Sequence, residues 1–359
     1  MSSGGMGAHE ERFSEIADIG ILRSVREKEQ QRLSETMPDR PIGETAEALN
    51  GLHDALIARA ISLAEREMAR LGYGTPPVPY AYLLFGSGGR REITFSSDQD
   101  SGIVYADASS EAENQANAAY FAEFSRIAVN RLVQLGYPPC EGNVIASNPS
   151  WRLSLREWEE KIDGWFAEPS WENVRYLLIL ADGRAIAGDQ ALPRMLKDRF
   201  YTDVLQTPII ARRMLENTLR HKVLVGVFGQ LLRERYGENA GGLDIKYGAY
   251  IPMVNVFRLM AVRAGIRETG TLARIGALQE KGLLTPAEAQ AATDAFALMV
   301  KLRLLTAAKY EDGQWIGSGK IAKEQLTDGL VQPLKRALKF GKFMQRRLER
   351  EMRDRYGSR

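Results

Sequence analysis

The chain has 359 residues, with 48 Lys and Arg against 46 Asp and Glu and a formal net charge of +2. Hydrophobic residues make up 44% and charged residues 26%, which is typical of a folded globular protein and excludes disordered, collagen-like and disulfide-rich chains. Because Cys140 is the single cysteine and histidines number three, a Cys/His zinc site is excluded, and any metal is expected to be a hard cation held by carboxylates. The lone cysteine suits a reducing compartment and no apolar run approaches the roughly 20 residues of a membrane span, so we expect a cytoplasmic protein that does not bind membranes.

Hydrophobic periodicity and turn residues divide the chain into four parts. Residues 1–42 are polar and charged, and we expect an extension that is partly flexible and holds a short helix over 13–31. Apolar positions at helical spacing predict a leading helix within 43–75. Residues 76–190 are then predicted to form a small α/β domain, and 191–359 an all-helical domain that ends in a basic helix.

The α/β part begins with two predicted strands separated by glycines. Residues 80–85 are typical of a short buried strand, 86–92 of a glycine-rich loop, and 98–105 of a second strand. A helix is predicted to end at Gly136, and a third strand to cover 143–147. Two further elements are a helix over 155–166 and a strand or buried helix over 174–180.

Beyond about residue 191 the strand signals disappear, and apolar positions recur at helical spacing. The clearest helix start is Thr285, because a threonine cap followed three residues later by Glu288 forms a capping box. The predicted helices cover 209–235, 249–264, 272–280, 286–310 and 333–352.

The loop at Gly86 has the composition of a phosphate-binding segment. Glycines let backbone N–H groups approach a phosphate closely, Ser87 adds a hydroxyl donor, and Arg90 can add a charge-assisted hydrogen bond. The alternative is a plain turn with exposed basic residues. The segment lacks the third glycine of a dinucleotide fingerprint and the Gly-Lys-Ser/Thr of a P-loop.

Asp98 and Asp100 are the candidate metal ligands. On a strand, residues i and i+2 face the same way, so the two carboxylates would project side by side. A divalent cation removes their repulsion, and Mg²⁺ prefers such oxygen ligands. The alternative is a solvated pair on an edge strand. A phosphate cradle beside a metal pair suits nucleotidyl transfer, which needs no protein nucleophile.

Five segments of the sequence are similar to segments of known proteins: Gly86-Ser-Gly-Gly-Arg-Arg-Glu-Ile-Thr94, Ser97-Asp-Gln-Asp100, Asn148-Pro-Ser-Trp-Arg152 with Trp158, Asp182-Gly-Arg-Ala-Ile-Ala-Gly-Asp189, and Leu243-Asp-Ile-Lys246 with Arg258. In these segments the sequence resembles the nucleotidyltransferase fold shared by DNA polymerase β and the PII-protein uridylyltransferases. The closer resemblance, over about residues 49–345, is to a nucleotidyltransferase family of unknown function related to those uridylyltransferases.

The resemblance implies an α+β fold, with a small polymerase-β-like domain containing a short mixed sheet followed by an all-helical domain. It implies transfer of a nucleoside monophosphate from an NTP, with Mg²⁺ or Mn²⁺, to a hydroxyl acceptor, such as a tyrosine of a small regulatory protein. A small molecule or another nucleotide is also compatible as acceptor. We expect an isolated catalytic core, without the regulatory or hydrolase modules of the relatives.

The resemblance also implies a third catalytic carboxylate. Asp182 is the first candidate. Glu141 is the second, since it precedes the predicted strand over 143–147 and the corresponding strand of the relatives carries an acid, whereas this strand begins Asn143-Val-Ile145. The alternative for Asp182 is a turn residue or a salt bridge to Arg184. By resemblance Lys246 would contact a phosphate, and the alternative, which is slightly favoured, is an interdomain ion pair.

Three other features are more simply explained by a structural role than by a functional one. His53, beside Asp54, lacks the further histidines of a phosphohydrolase and is expected to be a packing residue. The tryptophans Trp151, Trp158 and Trp165 are expected in the core. The basic C-terminal helix can bind an acidic partner, RNA or a membrane, but acids dilute its charge and a solvated face is favoured.

Three functional hypotheses follow. The first is the Mg²⁺-dependent nucleotidyltransferase, with an NTP as substrate, a small regulatory protein as a compatible acceptor, and nucleic acid not expected as a partner. The second is a catalytically weak or inactive nucleotide-binding regulator. The third is an interaction module that acts through the helical domain.

Overall fold

The structure is a computed structural model that describes residues 13–204, 208–221, 223–226, 230–233, 241–307, 309–311 and 314–356. The chain divides into two compact units, of which the first comprises Met1–Gly164 with Asp182–Arg199 and the second Trp165–Ala181 with Phe200–Arg359. This division is discontinuous in sequence, whereas the boundary expected near residue 191 is a single cut. Among the described helices, none has both the length and the apolar character required to cross a membrane.

Two long helices open the first unit. Helix α1 (Ile19–Thr36) begins where the Asp18 carboxylate accepts a hydrogen bond from the Ile21 amide at 2.9 Å, so it starts and ends later than the predicted helix over 13–31. Helix α2 (Ile42–Arg70) matches the predicted leading helix. Leu22 of α1 is completely buried, and helix α1 therefore packs into the core of this unit.

A four-stranded mixed sheet confirms the expected α+β fold class. Its strands are β1 (Tyr80–Leu84), β2 (Ser101–Tyr105), β3 (Arg152–Ser154) and β4 (Arg184–Gly188), in the order β3-β2-β1-β4. Strand β1 runs antiparallel to both β2 and β4, while β2 and β3 are parallel. A short helix, α3 (Gly86–Arg90), follows β1 directly.

The strand register decides where the candidate site lies. Leu84, the last residue of β1, is paired with Ser101, the first of β2, and with Arg184, the first of β4. Because both neighbours are antiparallel to β1, the end of β1 and the starts of β2 and β4 share one edge of the sheet. The residues just outside these strands, at 86, 100 and 182, are therefore brought to the same edge.

Along the described part of the chain, four further helices lie between strands β2 and β4 or directly after β4. They are α4 (Glu111–Gln134), α5 (Leu155–Ala167), α6 (Trp171–Ala181) and α7 (Ala191–Val204). The ring of Phe121 in α4 stacks on Tyr105 of β2, with centroids 4.5 Å apart. The indole of Trp158 donates to the Ile103 carbonyl at 2.9 Å. Trp151, Trp158 and Trp165 are all buried, as expected for core residues.

Several predictions of local structure were wrong. The segment 86–92 begins as helix α3 instead of a loop, and Asp98 to Asp100 precede the strand instead of lying on it. No strand forms at 143–147: Asn143 has a left-handed φ of 54°, and the Ser101 hydroxyl accepts from the Ala146 amide at 3.1 Å. The apolar run at 174–180, for which a strand and a buried helix were both open, is helical, in α6. Strand β4 was not predicted.

The second unit is mainly helical but contains short strands that the sequence did not indicate. Its remaining helices are α8 (Pro208–Leu219), α9 (Ile251–Arg263), α10 (Thr271–Glu280), α11 (Pro286–Leu305) and α12 (Asp328–Tyr356). Its strands are β5 (Leu243–Asp244), β6 (Lys309–Glu311), β7 (Gln314–Ile316) and β8 (Lys320–Ile321), where β5 pairs with β8 and β6 with β7. The predicted capping box of Thr285 and Glu288 is present.

His53 gives the fold a defined pH dependence. It is completely buried in α2, and burial, followed by the charge of Arg26, holds the pKa of its imidazole well below the usual 6.5. The unfolded chain therefore binds a proton near pH 6.5 that the folded chain does not, so stability is lost as pH falls below that value, by up to about 1.4 kcal/mol per pH unit. Urea unfolding at pH 7.5 and 5.5 should show a steeper acid loss for the wild type than for His53→Gln; identical pH dependence would contradict this assignment.

Candidate functional site

The glycine-rich segment and the acid pair meet at the shared sheet edge. The Phe85 amide, at the end of β1, donates to the Asp100 carbonyl at 2.9 Å. Gly86 has a left-handed φ of 52°, and a β-carbon placed on it would overlap Oδ2 of Asp100. Only glycine therefore lets the backbone of α3 approach the Asp100 carboxylate this closely.

The segment Asp98-Gln99-Asp100 is extended, with alternating exposure. The side chain of Gln99 is 5% exposed, whereas Asp98 is exposed and Asp100 half-buried. The Gln99 amide donates to the Pro138 carbonyl at 2.8 Å, and its side-chain Nε2 donates to the Tyr137 carbonyl at 2.6 Å. An inward amide thus anchors the segment and leaves both carboxylates on the opposite side, toward solvent.

A buried polar network supports this anchor. Nδ1 of His53 and the hydroxyl of Tyr137 are hydrogen-bonded at 2.6 Å, and the Arg26 guanidinium lies 4.4 Å from the centre of the Tyr137 ring while donating to the Leu135 carbonyl. No role was predicted from the sequence for Gln99 or Tyr137. The signal available for Gln99 was its position between two acids, which places it on the inward side.

Cys140 lies beside the acid pair. Its thiol hydrogen-bonds with the carboxylate of Asp100, and burial, helped by that charge, raises the pKa of Cys140 to about 12. The neighbouring Glu141, the second candidate for the third carboxylate, is exposed. A protonated thiol at this place adds no negative charge to the two aspartates.

Arg90 lies between two carboxylates. Its Nε donates to Glu92 and its Nη1 to Asp182, each at 2.7 Å, and the three side chains are only 5%, 7% and 1% exposed. From the sequence, Arg90 was predicted to bind phosphate and Asp182 to be the third catalytic carboxylate. The structure pairs these two side chains with each other, an arrangement that favours a role in holding α3 against β4; their direct participation stays a prediction.

A second arginine contacts the same short helix. Nε of Arg184 donates to the Gly88 carbonyl at 3.0 Å, and its Nη2 lies 2.5 Å from the carboxylate of Asp54, which is buried in α2. Asp54 also pairs with Arg91, at 3.4 Å. The glycine-rich segment is thus fixed by charges from α2 and β4, and sequence alone gave no signal for Asp54 because the partners are distant along the chain.

The donor set at this edge fits a hard divalent cation. Asp98 and Asp100 supply carboxylate oxygens, and Mg²⁺ commonly takes its other ligands from water and substrate phosphates. Within the ranges that the structure describes, no group of three or more His, Cys, Asp and Glu side chains could hold a metal ion. Any bound cation would therefore depend on water or substrate for the rest of its shell.

Lys246 belongs to the second unit. It begins a π-helical turn (Lys246–Tyr250), and its ammonium lies 5.2 Å from the centre of the Tyr247 ring. The nearby Asp244 accepts a hydrogen bond from the Tyr247 amide at 2.8 Å, so this acid caps the turn. The predicted contact of Lys246 with a phosphate stays a prediction.

The mixed sheet, the glycine-rich turn and the neighbouring acid pair are together the features of a nucleotidyltransferase domain. A family model described as "Putative nucleotidyltransferase DUF294" matches residues 28–172, and one described as "Putative nucleotidyltransferase substrate binding domain" matches 208–352. The chain belongs to this nucleotidyltransferase family. The first match contains Gly86, Asp98 and Asp100, and the second contains Lys246.

Two curated proteins of Bifidobacterium longum, from strains DJO10A and NCC 2705, are similar to part of the chain. Each is named a bifunctional glutamine synthetase adenylyltransferase/adenylyl-removing enzyme, and each is 31% identical over 117 residues. The similar region covers 31% of this chain and 11% of each relative. The chain thus spans about a tenth of the length of these relatives, which are nucleotidyltransferases by name.

Replacing Gly86 by alanine tests the close approach at the site. Both Gly86→Ala and the control Gly74→Ala force a β-carbon into a left-handed conformation, which costs about 1–2 kcal/mol, but Gly74 has open space around it. Only Gly86→Ala must displace the Asp100 carboxylate. We expect its affinity for Mg²⁺-nucleotide, measured by calorimetry, to fall at least tenfold while Gly74→Ala binds normally; equal binding by the two variants would contradict the geometry.

Proposed function

We propose that the protein is a Mg²⁺- or Mn²⁺-dependent nucleotidyltransferase that transfers a nucleoside monophosphate from an NTP to a hydroxyl group and releases pyrophosphate. The observation that carries this proposal is the contact between Gly86 and the Asp100 carboxylate. This contact supports the proposal because it brings the backbone that would bind phosphate directly beside the side chain that would hold the cation. Membership of the nucleotidyltransferase family supports the same reaction class.

Each residue of the edge has a distinct task in this reaction. Asp98 and Asp100 would hold the divalent cation, which supplies charge neutralisation at the phosphates and makes the acceptor hydroxyl easier to deprotonate. The amide of Gly86 and the amide and hydroxyl of the half-buried Ser87 would donate hydrogen bonds to the triphosphate. Gln99, anchored on the Tyr137 carbonyl, keeps the two carboxylates facing outward before substrate arrives.

Arg90 and Asp182 would act through position. Arg90 holds the end of α3 by its two buried ion pairs, and the backbone carbonyl of Asp182 would overlap a β-carbon placed on Gly89. Together they fix the glycine-rich turn to the start of β4. Lys246, in the matched substrate-binding region, would offer a cation to the phosphates.

For the acceptor we favour a protein hydroxyl, and for the donor ATP. The names of the two Bifidobacterium relatives describe adenylyl transfer with glutamine synthetase, a protein. A small regulatory protein, as implied for the uridylyltransferases, is one such acceptor. UTP is accordingly the second nucleotide to test.

The experiment is to incubate the chain with α-labelled ATP or UTP, Mg²⁺ or Mn²⁺, and an extract of the source cells, and to look for a labelled protein band. The band should require the divalent cation and disappear with Asp100→Asn. A band that persists in the Asp100→Asn variant would show that the transfer arises elsewhere in the extract.

A second candidate is a regulator that binds a nucleotide without transferring it. This candidate is supported by the small number of acids at the site. Among the described residues, no third carboxylate joins Asp98 and Asp100 in a metal-binding group. Nucleotide binding that requires Mg²⁺, together with no labelled band for any of the four NTPs, would favour this candidate.

A further inference from the structure

The solvent-facing side of α12 carries a row of cations with an aromatic ring among them. The helix buries Leu334, Leu338, Met344, Leu348 and Met352 on its inner side. The opposite side exposes residues at alternating steps of three and four, which keeps them on one face. These residues, called here the basic stripe, are Arg336, Lys339, Phe343, Arg346 and Arg350.

The acids of this helix do not interrupt the basic stripe. Glu349 pairs with Arg353 at 3.1 Å, and Glu351 is engaged by Arg347 at 2.7 Å and by Arg263 at 3.3 Å. Asp354 follows the last residue of the stripe by one turn. The acids that dilute the charge of this helix, on which the expectation of a solvated face was based, therefore lie beside the basic stripe or beyond its end.

The dimensions of the stripe suit an extended polyanion. Its 15 positions, 336–350, span roughly 21 Å at a helical rise of about 1.5 Å per residue. Successive cations are separated by rises of about 4.5, 10.5 and 6 Å, and the widest interval contains Phe343, whose side chain is 44% exposed. A single chain of phosphates could thus meet cations on both sides of an aromatic ring.

We infer that the basic stripe binds single-stranded nucleic acid. The core of a protein interface is depleted of charge and rich in apolar groups, whereas nucleic-acid interfaces are dominated by Arg and Lys contacts to phosphate. An exposed aromatic flanked by cations is the arrangement on which unpaired bases stack. The whole-chain charge of +2 gave no sign of this because it averages over surfaces of opposite charge.

Binding at the stripe would be strongly dependent on salt. Contacts of four cations with phosphates predict a log–log slope of affinity against salt of roughly −3 for a single strand. This binding requires no nucleotidyl transfer, so its test is independent of the proposed activity.

The experiment titrates labelled 20-nucleotide oligo(dT) and oligo(U), as single strands and as duplexes, with the full chain. Binding is measured by fluorescence anisotropy at 50 and 200 mM salt. The stripe variant replaces Arg336, Lys339, Arg346 and Arg350 by glutamine. The control variant makes the same change in charge at exposed cations elsewhere, at Lys28, Arg66, Arg156 and Arg175. We expect the stripe variant to lose at least tenfold in affinity and the control to stay within twofold of the wild type, with circular dichroism showing both folded.

Phe343 separates single-strand binding from a general attraction to polyanions. Phe343→Ala should lower the affinity for the single strands roughly fivefold or more, and Phe343→Tyr should retain the wild-type affinity. The affinity for the duplexes should change little in either variant. The relative affinities for oligo(U) and oligo(dT) distinguish an RNA ligand from a DNA ligand. No binding by the wild type at 50 mM salt, an equal loss in the control variant, or tighter binding of labelled poly-L-glutamate than of the oligonucleotides would overturn the inference, the last in favour of an acidic protein partner.

Discussion

Asparagine in place of Asp100 is expected to lower nucleotidyl transfer about a thousandfold while the protein remains folded. The change removes a charge that would hold the divalent cation but keeps the size of the side chain and its contact with Gly86. Loss of one preorganised electrostatic contact in an active site commonly costs about 10²–10³ in rate, and loss of a cation ligand acts on the bound cation as well. Asp98→Asn should act in the same direction. The measurement is the initial rate of label transfer from the preferred NTP.

The matched control for this change is Asp39→Asn. Asp39 is an exposed aspartate of the same unit, and its replacement alters net charge by the same amount. Its transfer rate should equal that of the wild type. Retention of more than a tenth of the activity by Asp100→Asn would mean that the reaction does not use this carboxylate.

Replacing Arg90 by methionine is expected to cost about 3–5 kcal/mol in the free energy of unfolding. The guanidinium is 5% exposed and donates to Glu92 and Asp182, so its removal leaves two buried carboxylates without their cation. Urea unfolding measures the loss. Arg90→Met/Asp182→Leu should recover part of it, because one of the unpaired charges is removed with its partner.

The neighbouring arginine supplies the control. Arg91 is 41% exposed and lies 3.4 Å from Asp54, so Arg91→Met should cost no more than about 1 kcal/mol. A large loss of NTP affinity in Arg90→Met, with unfolding free energy unchanged, would instead favour the phosphate-binding role predicted from the sequence.

The central juxtaposition of the site could be predicted from local sequence. Residues 80–85 and 98–105 are close along the chain and have strand patterns, so pairing them brings the glycine-rich segment to Asp98 and Asp100. Asp98 and Asp100 also lie on the same side of the backbone, as their i, i+2 spacing predicts. Both precede the strand, but the backbone is already extended there.

What could not be predicted depends on contacts between distant residues. Arg90 and Asp182 are 92 positions apart, and their ion pair arises because the short strand β4, preceded by an apolar run that is equally compatible with helix, returns beside β1. The expected strand at 143–147 fails because Asn143 is left-handed and because the Ala146 amide donates to the side-chain hydroxyl of Ser101 instead of to a strand partner. Periodicity does not contain such information.

Calorimetric titration of the protein with ATP and UTP, with and without Mg²⁺, tests the joint nucleotide and cation site most directly. The wild type should bind the preferred nucleotide at least tenfold more tightly with Mg²⁺ than without it, and the double variant Asp98→Asn/Asp100→Asn should lose this difference. Nucleotide binding that is the same with and without Mg²⁺, or that keeps its Mg²⁺ dependence in the double variant, would contradict a site built from the Gly86 turn and these two aspartates.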